Sequence, residues 1–182
     1  MKFYLTIFGI ILALGLISGT SIQRLIIREA IPEVKPNPYV KSINVKINGE
    51  YNDTVTIEMP IDEELPDDIV MNLNVIYNGQ AIPALKGELC DLFDDKTFAP
   101  DMLDTAVPKD KFPRQCPVLP NKDYAFLNYT FPPEKLGPGI PDGEIYTEVY
   151  CSRSGDDSNA FLIFRSHLSL VTVTPDASSL MG

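Results

Sequence analysis

Apolar residues recur at every second position in a series of short runs, and two of these runs end in Asn-Gly. Ile43, Val45 and Ile47 alternate with Asn44 and Lys46, and Asn48-Gly49 follows. Val55, Ile57 and Met59 alternate with Thr54, Thr56 and Glu58. In the next run Ile69, Met71, Leu73, Val75 and Tyr77 share one face, Asn72 and Asn74 take the other, and Asn78-Gly79 leads into 81–85. A period of two puts one face of a strand in a core and the other in water. Asn-Gly accepts the positive φ that a tight hairpin demands. Three later runs, 124–131, 145–151 and 161–173, bring the count to about seven short strands. One short helix is expected over 88–97, where Leu89, Leu92, Phe93 and Lys96 fall near helical spacing. Strands and helices do not alternate regularly, so the pattern predicts an all-β, antiparallel two-sheet sandwich rather than a parallel sheet.

The segments between these runs read as connections. Proline cannot donate to a strand ladder, so Pro32, Pro36 and Pro38 predict an extended or irregular approach over 22–38. The acidic stretch 60–68 reads as a solvated loop without the ligand spacing of a calcium loop. Segment 101–115, rich in charge and proline, reads as irregular. The stretch 132–141 reads as a long connection with Gly137, Gly139 and Gly143 as turn points. Residues 175–182 read as a frayed, flexible tail.

The N-terminus points to export. Lys2 precedes an apolar run over 3–17, and small residues follow at Ser18, Gly19, Thr20 and Ser21. These are the marks of a secretory signal peptide over 1–21, with cleavage after Gly19 or Ser21. A membrane anchor fits less well, because a spanning helix needs about 20 apolar residues and polar residues begin at Ser18. What remains is long enough for one domain with its own core. Secretion to the extracellular space gives meaning to two N-glycosylation sequons, Asn52-Asp53-Thr54 and Asn128-Tyr129-Thr130. It also places the three cysteines, Cys90, Cys116 and Cys151, where a disulfide is expected and one thiol is left over. The sequence permits any of the three pairings.

Little in the chain suggests catalysis. His167 is the single histidine and lies in a strand between Arg165 and Ser169, on the face opposite Leu168 and Leu170. A surface position is expected there, since a triad also needs a placed nucleophile and a third group. Gly137-Pro138-Gly139 is no phosphate loop, having no following Lys-Ser/Thr. No carboxylate pair stands out for glycosidase chemistry. One histidine and widely spaced cysteines make a poor zinc site, so neither metal nor cofactor is expected. A net charge of -10 without a basic stripe argues against nucleic acid as a partner.

From Cys116 onward an ordered series stands out: Cys116-Pro117, Tyr124, Asn128-Tyr129-Thr130-Phe131, then a proline-rich step to Ile140-Pro141-Asp142-Gly143-Glu144-Ile145. This series resembles the second half of ML (lipid-recognition) domains. It is most similar to the insect ML-like secreted proteins, including the chemosensory CheA and CheB groups, and to the ganglioside activator. Cys90 with Leu92-Phe93 resembles the half-cystine segment of the insect members. The likeness covers about 69–173, and the first strands fit by position alone. Ile145 stands where many relatives carry Tyr, and the basic residue after Cys-Pro is displaced to Lys122. Cysteines are fewer than in the ganglioside activator, so its disulfide pattern does not carry over whole.

The resemblance implies an immunoglobulin-like two-sheet cup over 39–174 with an apolar cavity between the sheets. It implies a monomeric carrier of a lipid or other apolar small molecule, linked in several relatives to chemosensation. Alternation by itself predicts only a closed core. Taken with the resemblance, it nominates Leu73, Val75, Leu127, Tyr129, Phe131, Leu162, Phe164, Leu168 and Leu170 as the cavity wall. Cys90 is then expected to pair with Cys116, leaving Cys151 as a buried free thiol. The alternative is an extracellular co-receptor or adaptor that engages a membrane receptor without a dedicated ligand.

Overall fold

The computed structural model describes residues 22–96, 99–132, 135, 140–154, 156 and 158–173. The expected signal peptide over 1–21 and the tail over 175–182 lie outside the described residues, as does most of the connection over 132–141. Among the described residues the chain is an all-β sandwich of two open antiparallel sheets. Its elements are β1 (Ile22–Val34), β2 (Asn44–Asn48), β3 (Thr54–Glu58), β4 (Ile69–Tyr77) and β5 (Gln80–Glu88). Then come α1 (Leu89–Leu92), α2 (Ala99–Thr105), β6 (Ala106–Val107), β7 (Ala125–Tyr129), β8 (Gly143–Arg153) and β9 (Leu162–Val173). The larger sheet runs β1-β9-β8-β4-β5 and the smaller β2-β3-β7-β6.

The turn chemistry works as the sequence suggests. Asn78 and Gly79 both take positive φ, 48° and 78°, and close the β4–β5 hairpin in two residues, as a type I′ turn requires. Asn48-Gly49 opens a longer loop, with Gly49 at φ 88° and Asn52 at φ 56°. The positive φ of Gly49 disfavours larger residues there, while the Asp53 carboxylate that a Cβ would meet can rotate away.

Three expectations are corrected. The approach over 22–38 is irregular only after Val34, because Ile22–Val34 forms the 13-residue strand β1, paired with β9. Pro32 is tolerated because β1 is an edge strand, where one side of the backbone has no ladder to supply. A register shift between Ile27 and Glu29 absorbs Arg28 as a bulge. The other edge, β5, carries Pro83 and its own register shift opposite Asn74, so both edges are blunted against pairing with another chain. Segment 101–115 is not wholly irregular: it begins inside α2, continues into β6, and supplies two core residues, Ala106 and Phe112. The helix expected over 88–97 is a single turn, α1.

Strand length sets the relation between the sheets. At about 3.3 Å per residue, the 13 residues of β1 and 12 of β9 extend roughly 40 Å. The 5-residue strands β2, β3 and β7 extend roughly 17 Å. A short sheet cannot cover a long one. Burial follows suit and gathers toward the ends of the larger sheet. At one end Ile69, Cys151, Phe161 and Leu162 pack with Val34, Ile43 and Met71. They join the cluster of Val40, Ile61, Leu65, Ala106, Phe112, Val118 and Tyr124 through Tyr39 and Leu89. At the other end Leu25, Ile145 and Leu170 pack with Val75, Tyr77, Phe131, Ile140 and Leu168.

Candidate functional site

Between these two clusters lies the middle of the larger sheet. Register fixes which side chains face the smaller sheet there. Leu73 pairs with Val149, and Val149 with Phe164, while Val75 pairs with Thr147, and Thr147 with Ser166. On β1 the partners of Phe164 and Ser166 are Pro32 and Ala30. These residues share the parity of Ile145, Cys151, Leu162 and Leu170, which are buried in the two clusters, so they point inward too. None of them is buried to the degree that the clusters are. Toward the β5 edge the face opens further, with Ile82 48% and Leu85 65% exposed.

The smaller sheet presents a matching roof. Ile43 and Met59 anchor one end of the β2–β3 hairpin in the core clusters. At its tip the Ile27 amide donates to the Asn52 carbonyl at 2.8 Å, and Arg24 lies 4.3 Å over the Tyr51 ring. Val45, Ile47, Val55 and Ile57 therefore lie over the section between Val34 and Ile27, and each is only half-buried. Among the described residues, the inward faces of β1, β4, β5, β8 and β9 within their paired registers, and those of β2, β3 and β7, carry one charged side chain, Arg153 at the end of β8, which is ion-paired with Asp68.

The nominated wall residues divide. Leu162 and Leu170 are buried at opposite ends of the sheet, 9% and 1% exposed. Leu73, Val75, Phe164 and Leu168 face inward from the larger sheet and are half-buried. Tyr129 pairs with Val55 in the smaller sheet, and Phe131 packs beside the Leu170 cluster. Leu127 is corrected: it is 43% exposed and does not join the wall. A register shift in β7 sets Phe126 opposite Ile57 and Tyr129 opposite Val55, with Asn128 at φ 49°. The bulge adds one residue to the strand and reverses the alternation across it. Phe126 takes the inward place and lies 5.0 Å from Phe112, ring to ring.

Sequence reasoning left out Val149, Ile82, Leu85, Phe126, Thr147 and Ser166. The parity of Ile145 and Cys151 already carried the signal for Val149 and Thr147. Nothing local marked the β5 and β7 bulges that turn Leu85 and Phe126 inward.

Polar groups on this inner surface are few. Thr147 Oγ1 and Ser166 Oγ lie 2.6 Å apart in mid-sheet. Tyr129 is half-buried, and its phenol is pushed up to about 12, first by burial and then by the charge of Asp101. Asp101 is ion-paired with Lys135. Cys151 is free and buried, and loss of hydration alone pushes its thiol up to about 12. It is an inert apolar residue at neutral pH. Cys90 and Cys116 form the disulfide, leaving Cys151 unpaired as expected.

No protein-family model matches this chain, and no curated protein does either. The chemistry of the chain rests on its own surfaces.

Two other surfaces bear on it. A solvent-open hollow of about 370 Å³ is lined by Ser42, Asn44, Glu58, Lys122, Asp123 and Tyr124, on the outer side of the smaller sheet. Pro60 and Ala125 also line it, but the charged Glu58, Lys122 and Asp123 suit a polar molecule better than an apolar one. The outer face of the larger sheet holds His167, half-buried because its ring stacks on Tyr146 at 4.3 Å. His167 Nε2 is 2.6 Å from the Glu144 carboxylate, and the Ser169 hydroxyl donates to that same carboxylate at 2.9 Å. Arg28 donates in turn to Ser169. These bonds hold Glu144 below the usual carboxylate range, Ser169 contributing most and His167 next. The carboxylate sits between serine and histidine, whereas a nucleophilic triad sets histidine between serine and carboxylate. Beside it, Arg165 bridges Glu33 and Glu148 at 2.7 and 2.6 Å. Among the described residues no helix is long and apolar enough to cross a membrane.

Proposed function

We propose that this chain is an exported binding protein, not an enzyme, that carries a lipid or similar apolar small molecule between its two sheets. One observation carries the reading: two facing, uncharged apolar surfaces stay half-covered between two well-buried clusters. In a sandwich whose sheets close fully, Leu73, Val149, Phe164 and Ile57 would be as buried as Ile69 and Leu170. Apolar surface left in this state gains about 25 cal/mol for each Å² that a ligand covers, or roughly 2.5 kcal/mol per 100 Å². The exposed Ile82 and Leu85 support an entrance along the β5 edge.

The disulfide suits an oxidising compartment. Asn52 and Asn128 are both exposed, so both sequons are open to a glycan on the secreted protein. The likeness of 69–173 to ML domains supports the same reading, with chemosensation or lipid transport as its setting. The test is organic extraction of protein secreted from eukaryotic cells, followed by mass spectrometry. A stoichiometric apolar molecule is expected; an extract matching that of an unrelated secreted protein would count against the proposal.

The outer face of the larger sheet favours a second reading, an extracellular adaptor. Ile76 and Tyr146 are paired neighbours there, and both are exposed, as is Ile31. Capture of a membrane receptor by lipid-free protein, lost on Tyr146→Lys, would favour the adaptor.

A further inference from the structure

The surface between the sheets is not uniformly apolar, and its one central polar feature has a definite chemistry. Along β8 the inward residues run Ile145, Thr147, Val149, Cys151, and along β9 they run Leu162, Phe164, Ser166, Leu168, Leu170. Thr147 and Ser166 face each other in register, flanked by Val75 and Ala30 on the neighbouring strands. Both are half-buried. Their 2.6 Å hydrogen bond uses one of the two hydroxyl protons. The second proton and the remaining lone pairs have no side-chain partner among the described residues.

A hydroxyl pair in such surroundings needs one more partner, because a donor removed from water without a hydrogen bond costs free energy. The pair can give one hydrogen bond and accept another. It carries no charge and has no cation among the inward-facing residues beside it, so it offers nothing to an ionised headgroup. We propose that Thr147 and Ser166 are the polar anchor of the apolar site and select a neutral ligand bearing one oxygen function, such as a long-chain alcohol, over a fatty-acid anion or a phospholipid headgroup. This rests on the carrier reading and narrows it. An ionised carboxylate placed at the pair would lose its hydration with no countercharge to offset the loss. A plain hydrocarbon would leave the second proton unpartnered.

The test uses the full secreted chain and the fluorescent apolar probe N-phenyl-1-naphthylamine, displaced in turn by lauryl alcohol, dodecane and laurate at neutral pH. The comparison protein is the double variant Thr147→Val, Ser166→Ala, which keeps shape and strand preference while removing both hydroxyls. Both proteins are checked first by circular dichroism and thermal unfolding. Probe affinity is measured for each protein separately, so that the competitors are compared as a ratio within each. The ratio of lauryl alcohol to dodecane affinity should fall about fivefold in the variant, the worth of one net hydrogen bond. Wild type should bind laurate at least about tenfold more weakly than the alcohol. An unchanged ratio, or laurate bound as tightly as the alcohol, overturns the anchor while leaving the carrier reading intact. Failure of wild type to bind the probe or any of the three competitors overturns both.

Discussion

Replacing Cys90 and Cys116 together by alanine should cost the fold about 3.5 kcal/mol. The disulfide spans a sequence separation of 26 residues. Cross-linking a loop of that size removes about 12 cal/mol/K of entropy from the unfolded chain, which is the quoted figure at room temperature. The enclosed segment is no passive excursion. It brings α2 against β7 and inserts Ala106, fully buried, and Phe112, 6% exposed, beneath Tyr124. The Phe112 ring stands 5.2 Å from that of Tyr124. Unpinning the segment therefore weakens contacts across the smaller sheet as well as enlarging the unfolded ensemble. For a domain of this size each kcal/mol moves the melting temperature by about 2–4 °C, so the variant should melt roughly 7–14 °C lower. Urea unfolding followed by circular dichroism gives the free energy, and scanning calorimetry the midpoint. Incubating native wild type with dithiothreitol should give the same shift. A loss below about 1 kcal/mol would refute the reasoning, since the 91–115 segment would then be held in place without its covalent tie.

The β7 bulge makes a paired prediction: Leu127→Lys should change stability by no more than about 0.5 kcal/mol, whereas Phe126→Ala should cost at least about 2 kcal/mol. Uniform alternation along 124–131 would reverse that order, and urea unfolding of both variants decides it. The fold should also lose stability in alkali between about pH 9 and pH 12. Cys151 and Tyr129 ordinarily ionise at 9.0 and 10.0, and burial pushes each up to about 12. The fold favours both neutral forms, so no stability is lost below the lower pair of values. Above them the unfolded chain sheds its protons first, and ΔG falls until the folded groups ionise as well. Tyr129→Phe combined with Cys151→Ala should flatten that decline; an equally steep decline in the variant would show that other groups cause it.

The sandwich was legible because period-two alternation and Asn-Gly turns are local signals, and β2, β3, β4, β8 and β9 fall within a residue or two of the runs that announced them. β1 was hidden by reading Pro32 for its missing donor without knowing that the strand would lie at an edge, which is a property of the whole sheet. α2 and β6 were hidden because the core residues of this segment, Ala106 in β6 and Phe112 beyond it, follow no period. At the site, parity correctly turned Leu73, Val75, Phe164, Leu168 and Leu170 inward. It failed at Leu127 because one inserted residue inverts every assignment on its far side, and the residue that reveals the bulge, Asn128, is equally at home in a plain sequon. The half-covered middle of the larger sheet comes from strands of unequal length stacked together, and no single run of sequence states that.

A carrier of this kind needs Leu73, Val75, Val149 and Leu168 to surround a space that a small apolar molecule enters. Methyl-labelled protein titrated with lauryl alcohol reports on this directly by nuclear magnetic resonance. The methyls of those four residues, with Ile57 and Val55 opposite, should shift and show Overhauser contacts to the alkyl chain, while those of the exposed Leu119 and Leu127 stay still. Contacts confined to Leu119, Leu127 or other outer methyls, with the inner set unmoved at saturating alcohol, would contradict it.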